Sequence, residues 1–156
     1  MSLNTWKEEF YPVAADAAKG DALAAVDHSL KKWEGLRAEN LTKHSCSVTT
    51  VGSIITDVCE DETTADNTFA VNCESCALCK YNDTLNQGSY CDSCPITLAT
   101  GVACDDVYGE LEEDDIAPWD AWTIHENPEP MIAVLNTTRE WLLGQLKEQD
   151  DRHEER

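Results

Sequence analysis

The chain has 156 residues, enough for one domain with a buried core, and carries a net charge of −20. Eleven Lys and Arg against 31 Asp and Glu argue against direct binding to DNA, RNA or an anionic membrane, which needs clustered cations to displace counterions. No apolar run is long enough to span a bilayer, and MSLNTWKEEFYP has Lys and Glu where a secretion signal needs an apolar stretch, so a soluble, cytoplasmic protein is expected.

The charge is unevenly spread. Residues 1–45 hold six Lys and Arg against seven acids, and residues 128–156 hold four against seven. Residues 46–127 hold only Lys80 against seventeen acids, a net of −16, together with all eight cysteines. The long-range field of such a segment steers a basic protein surface toward it. The plainer alternative is that the acids serve solubility alone.

In chain order, Thr5 and Glu8 have capping-box spacing and open a short helix through Trp6 and Phe10 that Pro12 stops. From Asp21, the residues Leu23, Val26, Leu30 and Trp33 recur at helical spacing, with Asp27, Lys31, Lys32 and Glu34 on other faces and Gly35 as the stop. LRAENLTKH adds one or two helical turns. Residues 46–58, rich in Val, Thr and Ile, read as two short strands broken by a glycine, and Phe69 to Val71 as a third. Beyond Cys104 the segment has no clean period and reads as irregular, with at most one helical turn. Its Trp119 and Trp122 either anchor it to the core or form a contact surface. Pro128 or Pro130 opens a long amphipathic helix over residues 128–150, striped by Met131, Val134, Leu135, Thr138, Trp141, Leu142 and Leu146, and residues 151–156 fray.

The expected fold is a single α+β domain stapled by zinc. Its N-terminal helices (1–45) pack on the C-terminal helix through Leu23, Val26, Leu30, Trp33, Val134, Leu135, Trp141 and Leu142, beside an acidic metal-binding segment (46–127) with a few strands. The same C-terminal stripe is wide enough to serve a homodimer.

Two C-x-x-C pairs, Cys76/Cys79 and Cys91/Cys94, stand eleven residues apart. Each short turn brings two sulfurs to one side, and two such turns supply four thiolates in a tetrahedron, which suits Zn2+ because its filled d shell imposes no geometry of its own. Cys73 and Cys104 are possible substitutes within the set. Cys46 and Cys59 lie in the strand-like segment and read as buried thiols or as a pair with each other.

Other cysteine chemistries fit less well. Disulfides need an oxidising compartment, and neither common ferredoxin spacing is present. A thioredoxin-type C-x-x-C should open a helix within a βαβ unit, which this stretch does not suggest. The zinc deaminase signature fails because His125-Glu126 follows the cysteines instead of preceding them. His28 reads as exposed or capping, His44 as a spare metal ligand, and His153 as part of the tail. No Ser-His-Asp set, phosphate loop or H-E-x-x-H occurs.

CALC at 76–79, CDSCP at 91–95, Cys104, the aromatic stretch and the C-terminal helix, together with HSLKKWEGL at 28–36, resemble small cysteine-rich proteins encoded by phages. The resemblance implies action inside a bacterial host cell, where such proteins interfere with host enzymes or immunity. It brings no catalytic residues.

Three functions compete. The first is a non-enzymatic, zinc-stabilised acidic protein that inhibits or sequesters a host factor with a basic surface. Its contact residues would come from Trp119, Trp122, Tyr108, Asp105, Asp106, Glu112, Glu113, Asp114 and Asp115. The second is a sponge for a signalling nucleotide, with Trp119, Trp122, Tyr108 and Tyr90 stacking on the base and Lys80, Arg37 or Lys43 meeting phosphates. The third is a zinc- or thiol-dependent enzyme.

Overall fold

Helix α2 (Ala22–Gly35) has small or apolar residues around much of its circumference, and several of the other helices pack around it. Its Ala25, Val26, Ser29, Leu30, Lys32 and Trp33 are all buried, a face too wide for a single partner. The computed structural model describes residues 3–18, 20–49, 53–56, 68–72, 75–86, 94–101, 104 and 117–154. Helices α1 (Leu3–Phe10), α4 (Ala77–Asn86) and α7 (Glu129–Glu154) pack on α2, while α5 (Pro95–Thr100) and α6 (Pro118–His125) pack on α7. The short α3 (Ala38–Lys43) leads into three antiparallel strands, β1 (Cys46–Val48), β2 (Ile54–Thr56) and β3 (Thr68–Phe69), in that order. Cys46 stands opposite Thr56, and Ile54 opposite Phe69. The described chain is therefore mostly helical with a small sheet. No helix among the described residues is long and apolar enough to cross a membrane.

Asp21 caps α2, its Oδ1 accepting the Ala24 N–H at 2.8 Å. The other end differs from expectation. Gly35 is the last helical residue and the cap at Leu36 is right-handed, so glycine is not needed for a left-handed stop. It is needed for close approach: a Cβ there would lie 2.5 Å from Phe10 Cγ, and the Gly35 carbonyl accepts the Trp6 indole N–H at 2.8 Å. Gly35→Ala should therefore push α1 off α2 and destabilise the fold by about 1–3 kcal/mol, the usual cost of overpacking, read as a lower urea midpoint.

Helix α1 already includes Leu3, so Thr5 lies inside it and the capping box with Glu8 does not form. The Thr5 hydroxyl instead meets His44 Nδ1 at 2.8 Å, and His44 Nε2 meets Glu9 Oε2 at 2.6 Å. Both ring nitrogens of His44 are thus engaged, which corrects its reading as a spare metal ligand. Lys43 also binds Glu9, at 2.9 Å, so this relay ties α1 to the end of α3.

Lys43, and after it His44, hold the Glu9 carboxyl below its ordinary value of 4.5. A carboxyl lowered by folding contributes stability that is complete above its unfolded value and is lost as pH falls through the lower folded value. Denaturation from pH 6 downward should accordingly show a smaller acid-side loss in Glu9→Gln than in the parent, though starting from a less stable protein.

Helix α6 replaces the expected irregular stretch over 118–125. Pro118 opens it, and Glu126, at φ 54°, closes it with its N–H on the Trp122 carbonyl and the Asn127 N–H on that of Ala121. Helix α7 begins as expected with Pro130 in its first turn, and buries Met131, Ile132, Leu135 and Thr138. Arg139 meets Asp27 of α2 at 2.7 Å, an exposed pair of small energetic weight. The helix runs to Glu154, past the fraying point expected at residue 151. The spacings Lys147/Asp151 and Glu148/Arg152 are i, i+4 pairs of opposite charge, and Lys147, Glu148 and Arg152 are good helix formers, which favours the extension.

Candidate metal centre

Cys76 directly precedes α4 and its carbonyl accepts the Lys80 N–H at 3.1 Å, so it occupies the N-cap position, with Cys79 in the first turn. The C-x-x-C pair thus does open a helix, contrary to the sequence expectation, although the antiparallel sheet supplies no βαβ unit. The Cys79 thiol and backbone N–H both act on the Cys76 sulfur to favour its thiolate form. Ser29, on α2, approaches the same sulfur at 3.9 Å.

Cys76, Cys79 and Cys104 line one cavity of about 290 Å3. Its remaining walls are Ser29, Lys32, Trp33, Asn72, Leu78, Ile96, Trp119, Met131 and Leu135. Backbone contacts fix where the thiols stand. The Cys104 carbonyl accepts the Trp119 N–H at 3.0 Å, from the first turn of α6. Cys94 is the buried N-cap of α5, followed by Pro95 at the first helical position. Gly101 ends α5 at φ 83°, a left-handed conformation that glycine adopts without strain.

Electrostatics join these groups. The Cys76 thiol is shifted well below its ordinary value, first by the hydrogen bond from Cys79 and then, against the cost of burial, by Lys32 and Ser29. Cys79 is pushed up by that hydrogen bond to Cys76, by burial, and by the charges of Cys76, Cys104 and Cys94. Lys32 is pushed down by burial and held up by Cys76, Cys79 and Cys104. The site is therefore a buried set of thiols around one ammonium, able to stabilise thiolate sulfur.

Among the described residues, no group of three or more His, Cys, Asp or Glu side chains is arranged to hold a metal ion. Of the expected ligands, Cys76, Cys79, Cys94 and Cys104 are described; Cys73 and Cys91 lie outside the described residues. So do Cys59, Tyr90, Tyr108, Asp105, Asp106, Glu112, Glu113, Asp114 and Asp115. Cys46 is buried in β1, its sulfur donating to the His44 carbonyl at 3.6 Å. None of the described cysteines is in a disulfide.

Trp122 is 0% exposed and meets Trp33 edge-to-face at 5.7 Å, so its ring is an anchor with no surface for a partner. Trp119 is half-buried, 6.3 Å from Trp33. Sequence reasoning also misplaced two residues of α2. His28 is buried, paired through Nε2 with the Val13 carbonyl at 2.8 Å and stacked edge-on against Tyr11. Lys32, expected on an outer face, is 1% exposed. The spacing Ala25, Ser29, Lys32 follows the buried stripe and was a signal that its charge obscured.

Comparison of the chain with protein-family models, with curated proteins and with solved structures finds no match.

Proposed function

We propose that the chain is a non-enzymatic binding protein in which cysteine thiolates hold a structural Zn2+ and so fix the frame of an acidic segment offered to a basic protein surface. The observation that carries the reading is the convergence of Cys76 and Cys79, from the start of α4, with Cys104, from the approach to α6, on one cavity. Cys94 stands within the electrostatic reach of Cys79. Thiols from three separate stretches brought into one buried neighbourhood are what a closed structural zinc site requires. Cys91 or Cys73 would complete or vary the set.

The charge distribution supports the binding role, since fourteen of the seventeen acids of residues 46–127 fall in 57–67, 74, 92 and 105–116 around these cysteines in sequence. The likeness of the cysteine pattern to phage-encoded proteins supports a partner in the bacterial host, such as a nucleic-acid-binding or defence protein. The nucleotide reading gains no support from Arg37 and Lys43, which are engaged by Glu129 and Glu9.

Capture of basic host proteins on the immobilised chain tests the role. Partners should bind at low salt, elute at high salt, and be lost when Asp105, Asp106 and Glu112 to Asp115 are all made neutral amides. Capture that survives both treatments would refute an acidic docking surface.

A further inference from the structure

Helix α7 outruns the body it packs on. It has 26 residues, about 39 Å at 1.5 Å per residue, and its buried residues Met131, Ile132, Leu135 and Thr138 all lie in its first half. Leu142, half-buried, still packs against the core. Every residue from 143 to 152 is exposed, including Leu143 at 40% and Leu146 at 47%. Single exposed leucines are ordinary, but these two belong to an ordered stripe. Arg139, Leu143, Leu146 and Asp150 stand four, three and four residues apart, which gathers them within ~60° of arc on one face of the helix.

The stripe is symmetric in spacing and opposite in charge about the midpoint between Gly144 and Gln145. A second copy of α7 laid antiparallel about that point sets Leu143 on Leu146 of the second copy and Arg139 on Asp150 of the second copy, and two-fold symmetry makes each pair twice. On the flank, Glu140 falls beside Lys147 of the second copy. A parallel pair would set Arg139 on Arg139 and Asp150 on Asp150, which like-charge repulsion disfavours. Arg139 gives its Nε to Asp27 at 2.7 Å, and a guanidinium has five N–H donors, so the two carboxylates are compatible. Residues 139–152 carry three Lys and Arg against four acids, so two copies of a chain of net charge −20 meet here over nearly balanced helix.

We propose that the chain forms an antiparallel homodimer through the distal half of α7, with Leu143 and Leu146 at its centre and the Arg139–Asp150 pairs at its two ends. The proposal is independent of the zinc reading. Residues 139–150 span about 18 Å of helix, a small interface, so the dimer should dissociate reversibly in the micromolar range.

Sedimentation equilibrium of the full chain tests it, under reducing conditions that exclude disulfide-linked oligomers and at about 150 mM salt to screen the net charge. Between roughly 1 and 1,000 µM the mass should rise from 17.3 kDa toward twice that value. Leu143→Glu/Leu146→Glu should stay monomeric with its helical circular dichroism kept, because both side chains are exposed in the single chain. Asp150→Arg should weaken the dimer about tenfold or more by setting Arg on Arg139, and Arg139→Glu/Asp150→Arg should recover the loss by reversing the pair. A parent that stays at 17.3 kDa throughout, or a Leu143→Glu/Leu146→Glu chain that dimerises as well as the parent, would overturn the proposal. So would a reversed pair no better than Asp150→Arg alone, and this charge series decides the matter if the leucine variant does not fold.

Discussion

Cys79→Ser is expected to abolish stoichiometric zinc binding and, with it, the cooperative unfolding of the chain. Structural zinc in small domains carries an apparent binding free energy of about 10–16 kcal/mol, comparable to or larger than the whole stability of an ordinary domain of about 5–15 kcal/mol. Cys79 is central to the cluster because its thiol is influenced electrostatically by Cys76, Cys104 and Cys94. Serine keeps the size of the side chain, but its hydroxyl does not ionise to hold zinc at neutral pH. Loss of the near-ultraviolet signal of Trp33 and Trp119, both at the wall of the cavity, would report the collapse. Intact folding with normal zinc content would show that Cys79 is not a ligand.

Trp6→Ala should cost about 3–5 kcal/mol, as large-to-small changes of a buried aromatic do. Trp6 is 0% exposed and joins three parts of the fold. It lies 5.9 Å from Phe10 within α1, 5.1 Å from Phe69 on β3, and donates its indole N–H to Gly35 at the end of α2. Trp6→Phe separates packing from hydrogen bonding: it keeps an aromatic ring but leaves the Gly35 carbonyl without that donor, for a loss of about 1–3 kcal/mol. Urea denaturation of both variants checks the order. A Trp6→Phe protein as unstable as Trp6→Ala would mean that ring size, and not burial of an aromatic as such, sets the cost.

Elements with a strong local signal were legible in the sequence. The period of α2 and α7 and Pro130 in the first turn of α7 reappear in the structure. Within the Val-, Thr- and Ile-rich segment 46–58, Cys46–Val48 and Ile54–Thr56 form β1 and β2, as its composition suggested. What escaped depends on contacts between distant segments. The helical spacing Ala25, Ser29, Lys32 is the one local hint that Lys32 is buried, and its charge obscures it, because much of its environment is created by residues 43 to 72 positions away. The helix behind Cys76 went unread because the cysteine spacing of this stretch suggests a metal-binding turn, although ALCKYNDTLN is as amphipathic as α1 and α2. Thr5 matched a capping box by type and spacing, yet its hydroxyl meets His44, the residue that follows α3, 39 positions away. Of the candidate site, the cysteine pattern was readable, whereas the ammonium among the thiols was not.

Metal content decides the central claim most directly. Elemental analysis of the protein purified under reducing conditions, combined with intact-mass measurement under native conditions, should give about one zinc per chain held by cysteines without disulfides. A metal-free protein, or a native protein whose Cys76 and Cys79 are joined to each other, would contradict it.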